Sequence, residues 1–376
     1  MSSSRCSFWA SLLAVCAAAL LALAGCASLP AERDAARSAL TPEVGERPFL
    51  AVLPLQNLSA TIAPLAEIRA ELIEALAEAG CDAVGDKELE LFMAHQRLRN
   101  VGGINGPLAI KLGVATGAQA VLITTLELYA EQYPPRIALL SRLVSLEEDP
   151  EILWMDSVAL AGDETPGLLG LGLIRDPAFL RQKALTRLAA SLADRLAGFE
   201  LPARVPGKFR PRLAYGTQHL EREGKSRVVV APFFNHSDRK YGGEIVALHF
   251  LAALHRTGRF ALAEPGVVHA DLLRYRVIME EGVSLSQAEL LFATLKTDFI
   301  FSGKLFDYQD PKEGRGTPVV DFSATMLAQE DQGVVWISKS YNAGTDGVYF
   351  FDWGRHATAG AMAAAMTRAV AGLLAR

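Results

Sequence analysis

The sequence predicts an α/β protein made of two tandem duplicated domains, each a mixed β-sheet flanked by helices in the order β-α-β-α-α-β-β-β-α. Three observations lead there. "AVLPLQNLS", Ala51 to Ser59, returns as "VVAPFFNHS", Val229 to Ser237, so Pro54, Asn57 and Ser59 recur 178 positions on as Pro232, Asn235 and Ser237. Later landmarks repeat in the same order. "GAQAVLITTLELY" aligns with "KTDFIFSGKLFDY", which sets Tyr129 opposite Tyr308. Trp154 aligns with Trp336, each followed shortly by Ala-Gly, at Ala161–Gly162 and Ala343–Gly344. Finally, 376 residues with 51% apolar and 21% charged side chains form a globular composition long enough for two cores.

The elements follow in chain order. Residues 1–25 hold one charge, Arg5, then the apolar run "FWASLLAVCAAALLALAG", and read as a secretory signal rather than part of the fold. The run ends in "LAGC", Leu23 to Cys26, a lipobox pattern that makes Cys26 the lipid-attachment residue; an ordinary cleavage site or an uncleaved anchor are the alternatives. Residues 26–46 form a lipidated tether, reaching about 25 Å as a flexible chain. Two or more acyl chains hold a protein stably at a membrane where one does so only marginally. Of the four cysteines, Cys6 and Cys16 leave with the signal and Cys26 carries lipid, so Cys81 has no partner in the mature chain and reads as a small buried residue at a strand start.

The first domain spans 47–199. It opens with a nearly all-apolar strand, Phe49–Leu53, as expected of a strand buried on both faces. Pro54 has no N–H and should end the ladder there. Asn57 and Ser59 then accept hydrogen bonds from nearby backbone N–H groups and turn the chain toward a helix at Leu65–Ala79. A short strand at Asp82–Val84, helices at Lys87–Arg97 and Pro107–Thr116, and strands at Ala120–Tyr129, Ile137–Leu146 and Ile152–Ala161 follow. A helix at Pro177–Leu196, capped by Asp176, closes the domain. Residues 200–226, rich in Lys, Arg and Pro, read as a basic linker. The second domain, 227–376, repeats the order. It has strands at Arg227–Ala231, Phe260–Ala263, Phe299–Tyr308, Val319–Ala328 and Val334–Tyr341. Its helices are at Gly243–Arg256, Gly266–Met279, Ser286–Leu295 and His356–Leu374, and Ser286 with Glu289 has capping-box spacing. Each domain is expected to fold on its own.

"VVVAPFFNHS", "TGRFALAE" and "DFIFSGKLFDY" resemble the periplasmic α/β domain shared by the curli secretion lipoprotein CsgG, the penicillin-binding-protein activator LpoB and the TolB amino-terminal domain. The first half departs from that pattern, with Leu55 where Phe is usual and "EAGCDAVG" in place of the Gly-x-Phe start. The resemblance implies a scaffold, activator or channel rather than an enzyme. Together with the lipobox, and with Ala27 rather than Asp after Cys26, it implies a place on the periplasmic face of the outer membrane, with envelope proteins as partners and self-association left open.

Motifs of chemistry are missing from the sequence: no G-x-S-x-G, H-E-x-x-H, C-x-x-C or P-loop occurs. His249 and His255 lie six apart on one helix, on different faces, and no metal or cofactor is expected. The formal charge of −5 gives no sign of a nucleic-acid binder. Between last strand and last helix each half carries an apolar loop, "PGLLGLGLI" and "GVYFFDWG". Tyr349, Phe350, Phe351 and Trp353 are candidates for partner binding, because aromatic side chains dominate interface energetics. The other reading has them plug the core. The expected role is a non-enzymatic accessory factor in envelope assembly, secretion or cell-wall synthesis. The alternative is an oligomeric secretion channel of the CsgG kind, which needs membrane strands of about 9–11 residues that alternate cleanly. "IALLSRLVSL" and "VVDFSATMLA" have the length but mix apolar residues on both faces.

Overall fold

The computed structural model describes residues 47–99, 101–164, 172–199, 205–216, 225–276, 284–311, 316–330, 333–347 and 355–375. In the first half the chain runs β1 (Phe49–Val52), β2 (Gln56–Asn57), α1 (Leu65–Glu78), β3 (Asp82–Ala83), α2 (Asp86–Gln96), α3 (Gly106–Thr116), β4 (Ala120–Ala130), β5 (Arg136–Ser145), β6 (Ile152–Ala161) and α4 (Pro177–Leu196). A strand β7 (Leu213–Gly216) follows. The second half runs β8 (Ser226–Val230), β9 (Phe234–Asn235), α5 (Gly242–Thr257), β10 (Phe260–Leu262), α6 (Pro265–Arg274), α7 (Leu285–Leu295), β11 (Phe299–Gln309), β12 (Val319–Ala328), β13 (Val334–Ala343) and α8 (Ala359–Leu374).

The two sheets have one topology. The first is ordered β3-β1-β4-β5-β6 and the second β10-β8-β11-β12-β13, with β7 added at its edge. In each, the strands up to the long central one are parallel, and the remaining long strands form an antiparallel meander.

The proline interrupts the ladder rather than ending it. Val52 pairs with Leu122, and the chain returns to the same neighbour with Gln56 against Thr125, one residue longer on its own side. Val230 against Phe301 and Phe234 against Lys304 repeat the irregularity. The turn is duplicated bond for bond. Ser59 N–H donates to Asn57 Oδ1 at 3.0 Å and Thr61 N–H to Ser59 Oγ at 3.2 Å; Ser237 N–H donates to Asn235 Oδ1 at 3.1 Å and Arg239 N–H to Ser237 Oγ at 3.3 Å.

On one face of the first sheet lie α1 and α4, burying Ile68, Leu72 and Leu76, and Leu180, Leu185, Leu188 and Leu192. The opposite face is covered at one end by α2 and α3, where Leu89, Phe92, Ala109 and Leu112 meet Ala51, Val121 and Val144. The second half does the same, with α6 and α7 over Val229 and Ile300.

Three local expectations are corrected. The cap of α7 is Ser284, whose side chain pairs with Gln287 in a full capping box, so the helix begins before Ser286 and Glu289 lies inside it. Thr358 caps α8, which starts at Ala359 rather than His356. The segment read as linker supplies β7, paired to β13 through Leu213–Lys339 and Tyr215–Ile337. All four of its residues are exposed, so no burial pattern marks it as a strand. Cys81 is buried and free. Cys26 and its signal and tether, Leu168–Leu171 of the first apolar loop, and Tyr349, Phe350, Phe351 and Trp353 of the second lie outside the described residues. Gly347, which opens the second loop, has φ +62°, the left-handed backbone a glycine tolerates.

Candidate functional surface

The halves meet through the rest of that second face of the first sheet. In an antiparallel ladder paired residues share a face. The register sets Arg142 with Met155 and Leu140 with Ser157 on one side of the sheet. Leu140 and Met155 join Leu58 and Ile152 in one buried cluster with Val246, Phe250, Phe301 and Phe322 of the second half. The helices α5 and α8 pack on β6 and on their own sheet, so they lie between the two sheets. This is why β5 is buried along its whole length and why "IALLSRLVSL" mixes its apolar residues: both of its faces are interior.

Charged groups in this junction are paired across it. Arg142 and Glu264 have side chains only 1% and 0% exposed. Arg142 Nε donates to Glu264 Oε2 at 2.8 Å, and Nη2 donates to Oε1 at 2.9 Å and to Gly102 O at 2.6 Å. Backbone closes tightly beside them: a Cβ on Gly266 would stand 2.1 Å from Ile104 N, so only glycine fits. Glu127 occupies the irregularity between Leu126 and Leu128 and projects into the second half. Its carboxylate is 3.0 Å from His249 Nε2 and accepts from the Tyr308 hydroxyl. Arg239 donates to the carbonyls of Ser59 and Glu127. Burial pushes the Glu127 carboxyl up, but His249 and Tyr308 outweigh it and hold it below the usual range. Burial, then the Glu127 charge, raises the Tyr308 phenol. Burial raises the neighbouring Asp310, which accepts the first N–H of α8, that of Ala359, at 2.7 Å, to about 6. His255 donates from Nε2 to Ile152 O at 2.7 Å and is lowered by burial to about 4. Gln56 Nε2 donates to Glu244 Oε1 at 2.7 Å, and Arg256 Nη2 to Asp156 Oδ1 at 2.7 Å.

In the second half the matching face is open. Phe306 sits at the irregularity between Leu305 and Asp307, where the first half has Glu127. Register places Ser302, Thr325, Ile337 and Tyr215 in one row, and Lys304, Ser323, Lys339 and Leu213 in the next. Ile337 holds the position of Met155 and Val334 that of Ile152. Met155 and Ile152 are 4% and 8% exposed, whereas Ile337 and Val334 are 44% and 54% exposed. Phe306, Leu213 and Tyr215 are exposed on the same face. Lys339 Nζ lies 4.8 Å from the Phe306 ring centroid, and the His236 ring stacks with Phe306 at 6.2 Å between centroids.

Of the expected site residues, Cys26 and the four loop aromatics fall outside this description. His249 and His255, read as scattered, both reach the first half. Among the described residues no group of three or more His, Cys, Asp or Glu could hold a metal ion, and no helix is long and apolar enough to cross a membrane. Sequence reasoning missed Glu127, Arg142 and Glu264. The one available signal was a lone charge inside each apolar strand run, "VLITTLELY" and "IALLSRLVSL".

No protein-family model matches the chain, and no curated protein does. Several solved structures are similar. A PelC dodecamer from Paraburkholderia phytofirmans shows 15% identity, with 44% of this chain and 96% of that chain covered at a TM-score of 0.32. A lipoprotein from Neisseria meningitidis shows 22% identity over 38% of this chain and 98% of its own, at a TM-score of 0.29. The carboxy-terminal domain of LpoB from Salmonella enterica shows 22% identity over 33% and 91%, at 0.27. A lipoprotein is among the structures this chain is similar to. Each nearly complete neighbour spans about the length of one half. Similarity at these identities and scores identifies neither an activity nor a partner.

Proposed function

We propose that this chain is a non-enzymatic lipoprotein, held by Cys26 on the periplasmic face of the outer membrane, that serves as a binding scaffold in envelope assembly, secretion or cell-wall synthesis. The observation that carries this reading is the open face of the second sheet. Phe306, Val334, Ile337, Leu213 and Tyr215 gather there, at positions whose counterparts in the first half include buried contacts. A large apolar group collected on one face and rimmed by Lys304 and Lys339 is the usual mark of an interaction site. The "LAGC" stretch supports the anchor. The buried ion pairs between halves favour a rigid body that presents this face in fixed geometry. The secretion-channel alternative draws no support from β5 and β12. Both are central strands, paired on each side within their sheets.

A photocrosslinking residue at Ile337 in intact envelopes tests the proposal. A discrete protein adduct is expected there and not from the same residue at Glu90, exposed on α2. No adduct of any kind from Ile337 would overturn the scaffold reading.

A further inference from the structure

The chain contains a worked example of what covers such a face. Inside it, the covered face of the first sheet receives α5 and α8. Their counterparts in the first half are α1 and α4. Buried Ile68, Leu72 and Leu76 of α1 correspond, 178 positions on, to buried Val246, Phe250 and Leu254 of α5. Asp176 and Thr358 cap α4 and α8 at equivalent positions. Both helices bury one side against their own sheet, and the outer side of α1 and α4 is open. We propose that the open face of the second sheet binds α1 and α4 of a second copy of this chain, repeating between chains the junction that joins the two halves within one. This identifies the partner of the scaffold surface proposed above, and it rests on that reading.

The two surfaces are complementary position by position. Gln56 and Glu244, paired within the chain, are replaced by Phe234 and Ala66. Glu127 and His249 are replaced by Phe306 and Glu71. Met155 is replaced by Ile337, and Ala361, which lines the cleft between halves beside Ser157 and Ala159, by exposed Phe179 of α4. Charges buried between the halves thus give way mostly to apolar groups, and the charge that remains, Glu71, is already paired with Arg181 of α4 within the chain. That is the chemistry of a contact whose surfaces must each survive in water before they meet, since an unpaired charge buried on docking is costly. Part of the rim is opposite in sign, although the next row of the sheet face holds Asp307 and Asp321. Exposed Lys304 and Lys339 lie on the sheet face, and exposed Glu67, Glu74 and Glu78 on α1. Opposite potentials steer association and set its register. Because the two surfaces differ, the contact is heterologous. Each chain uses one surface on either side, and the assembly closes as a ring or extends as a filament according to the rotation per step.

The test uses the full chain in detergent, with sedimentation velocity and native mass spectrometry. The parent chain should form a discrete assembly larger than a dimer. Phe306→Asp with Ile337→Asp spoils the sheet surface, and Glu67→Lys with Phe179→Asp spoils the helical surface. Each pair of changes alone should give monomers with unchanged circular dichroism. An equal mixture of the two variants should give dimers and nothing larger, because one intact surface of each kind remains. A monomeric parent, or a helical-surface variant that still assembles on its own, would overturn the proposal. So would an Ile337 adduct in intact envelopes made only with a different protein, an outcome that leaves the scaffold reading standing; the absence of any adduct sinks that reading itself.

Discussion

Arg142→Leu is the sharpest probe of how the halves are joined. Glu264 is fully buried and receives four donors: two from Arg142 at 2.8 and 2.9 Å, and the N–H groups of Ile104 and Gly266, both at 3.3 Å. Leucine fills part of the volume but removes the two short bonds and the countercharge that Arg142 supplies. What remains is a carboxylate, out of water, held by two long backbone contacts. Breaking a buried pair from one side costs about 3–5 kcal/mol, a large part of the ~5–15 kcal/mol of a typical domain. An exposed pair such as Arg47–Asp82, each side chain about half exposed, would cost at most ~1 kcal/mol. The double variant Arg142→Leu, Glu264→Leu removes both charges, and its cost should fall well below the sum of the single changes. Part of the loss remains, because Glu264 also caps α6, a contact worth about 1 kcal/mol. Urea denaturation of the four proteins at neutral pH gives the cycle directly. A single-variant cost below ~1 kcal/mol, or strict additivity in the double variant, would refute the reasoning.

Other outcomes follow from the same contacts. His255 and His356 are both lowered to about 4 by burial, so the folded state binds fewer protons than the unfolded one; the stability they contribute is present above about pH 6.5 and lost as pH falls toward 4, by up to roughly 3 kcal/mol for His255. His255→Gln should flatten that slope in urea titrations repeated across this range. Asp310, raised to about 6, acts in the opposite sense: its contribution is present below its unfolded pKa and lost as pH rises through 6, so Asp310→Asn should gain most over the parent above pH 6. Cys26→Ser should release the protein into the soluble periplasmic fraction or leave an unprocessed precursor, and fractionation showing normal processing with membrane retention would refute the lipobox reading. Phe350→Ala with Trp353→Ala should keep a melting temperature close to the parent while abolishing function, since Asp352 within the run disfavours burial; a loss of many degrees would show these rings to be core.

What the sequence determined by itself was local or repeated. The duplication, the course of both halves and the Asn57–Ser59 and Asn235–Ser237 turns were readable because each rests on residues within a few positions, or on a pattern used twice. The reading of "LAGC" as a lipobox rests on four adjacent residues and needs no fold. The tertiary structure alone decided what the halves do to each other. Arg142 meets Glu264 across 122 positions, and Glu127 meets Tyr308 across 181. A charge inside an apolar strand reads as a solvent-facing residue until its partner is placed in space. β7 was invisible for a related reason: its side chains are exposed, and it is held by backbone bonds to β13, which carry no side-chain signature. Most of all, Met155 and Ile337 hold equivalent places in equivalent sheets, yet one is core and the other surface. A sequence repeat assigns them the same position. Only the packing of one half on the other makes them different, because burial belongs to the neighbour and not to the strand.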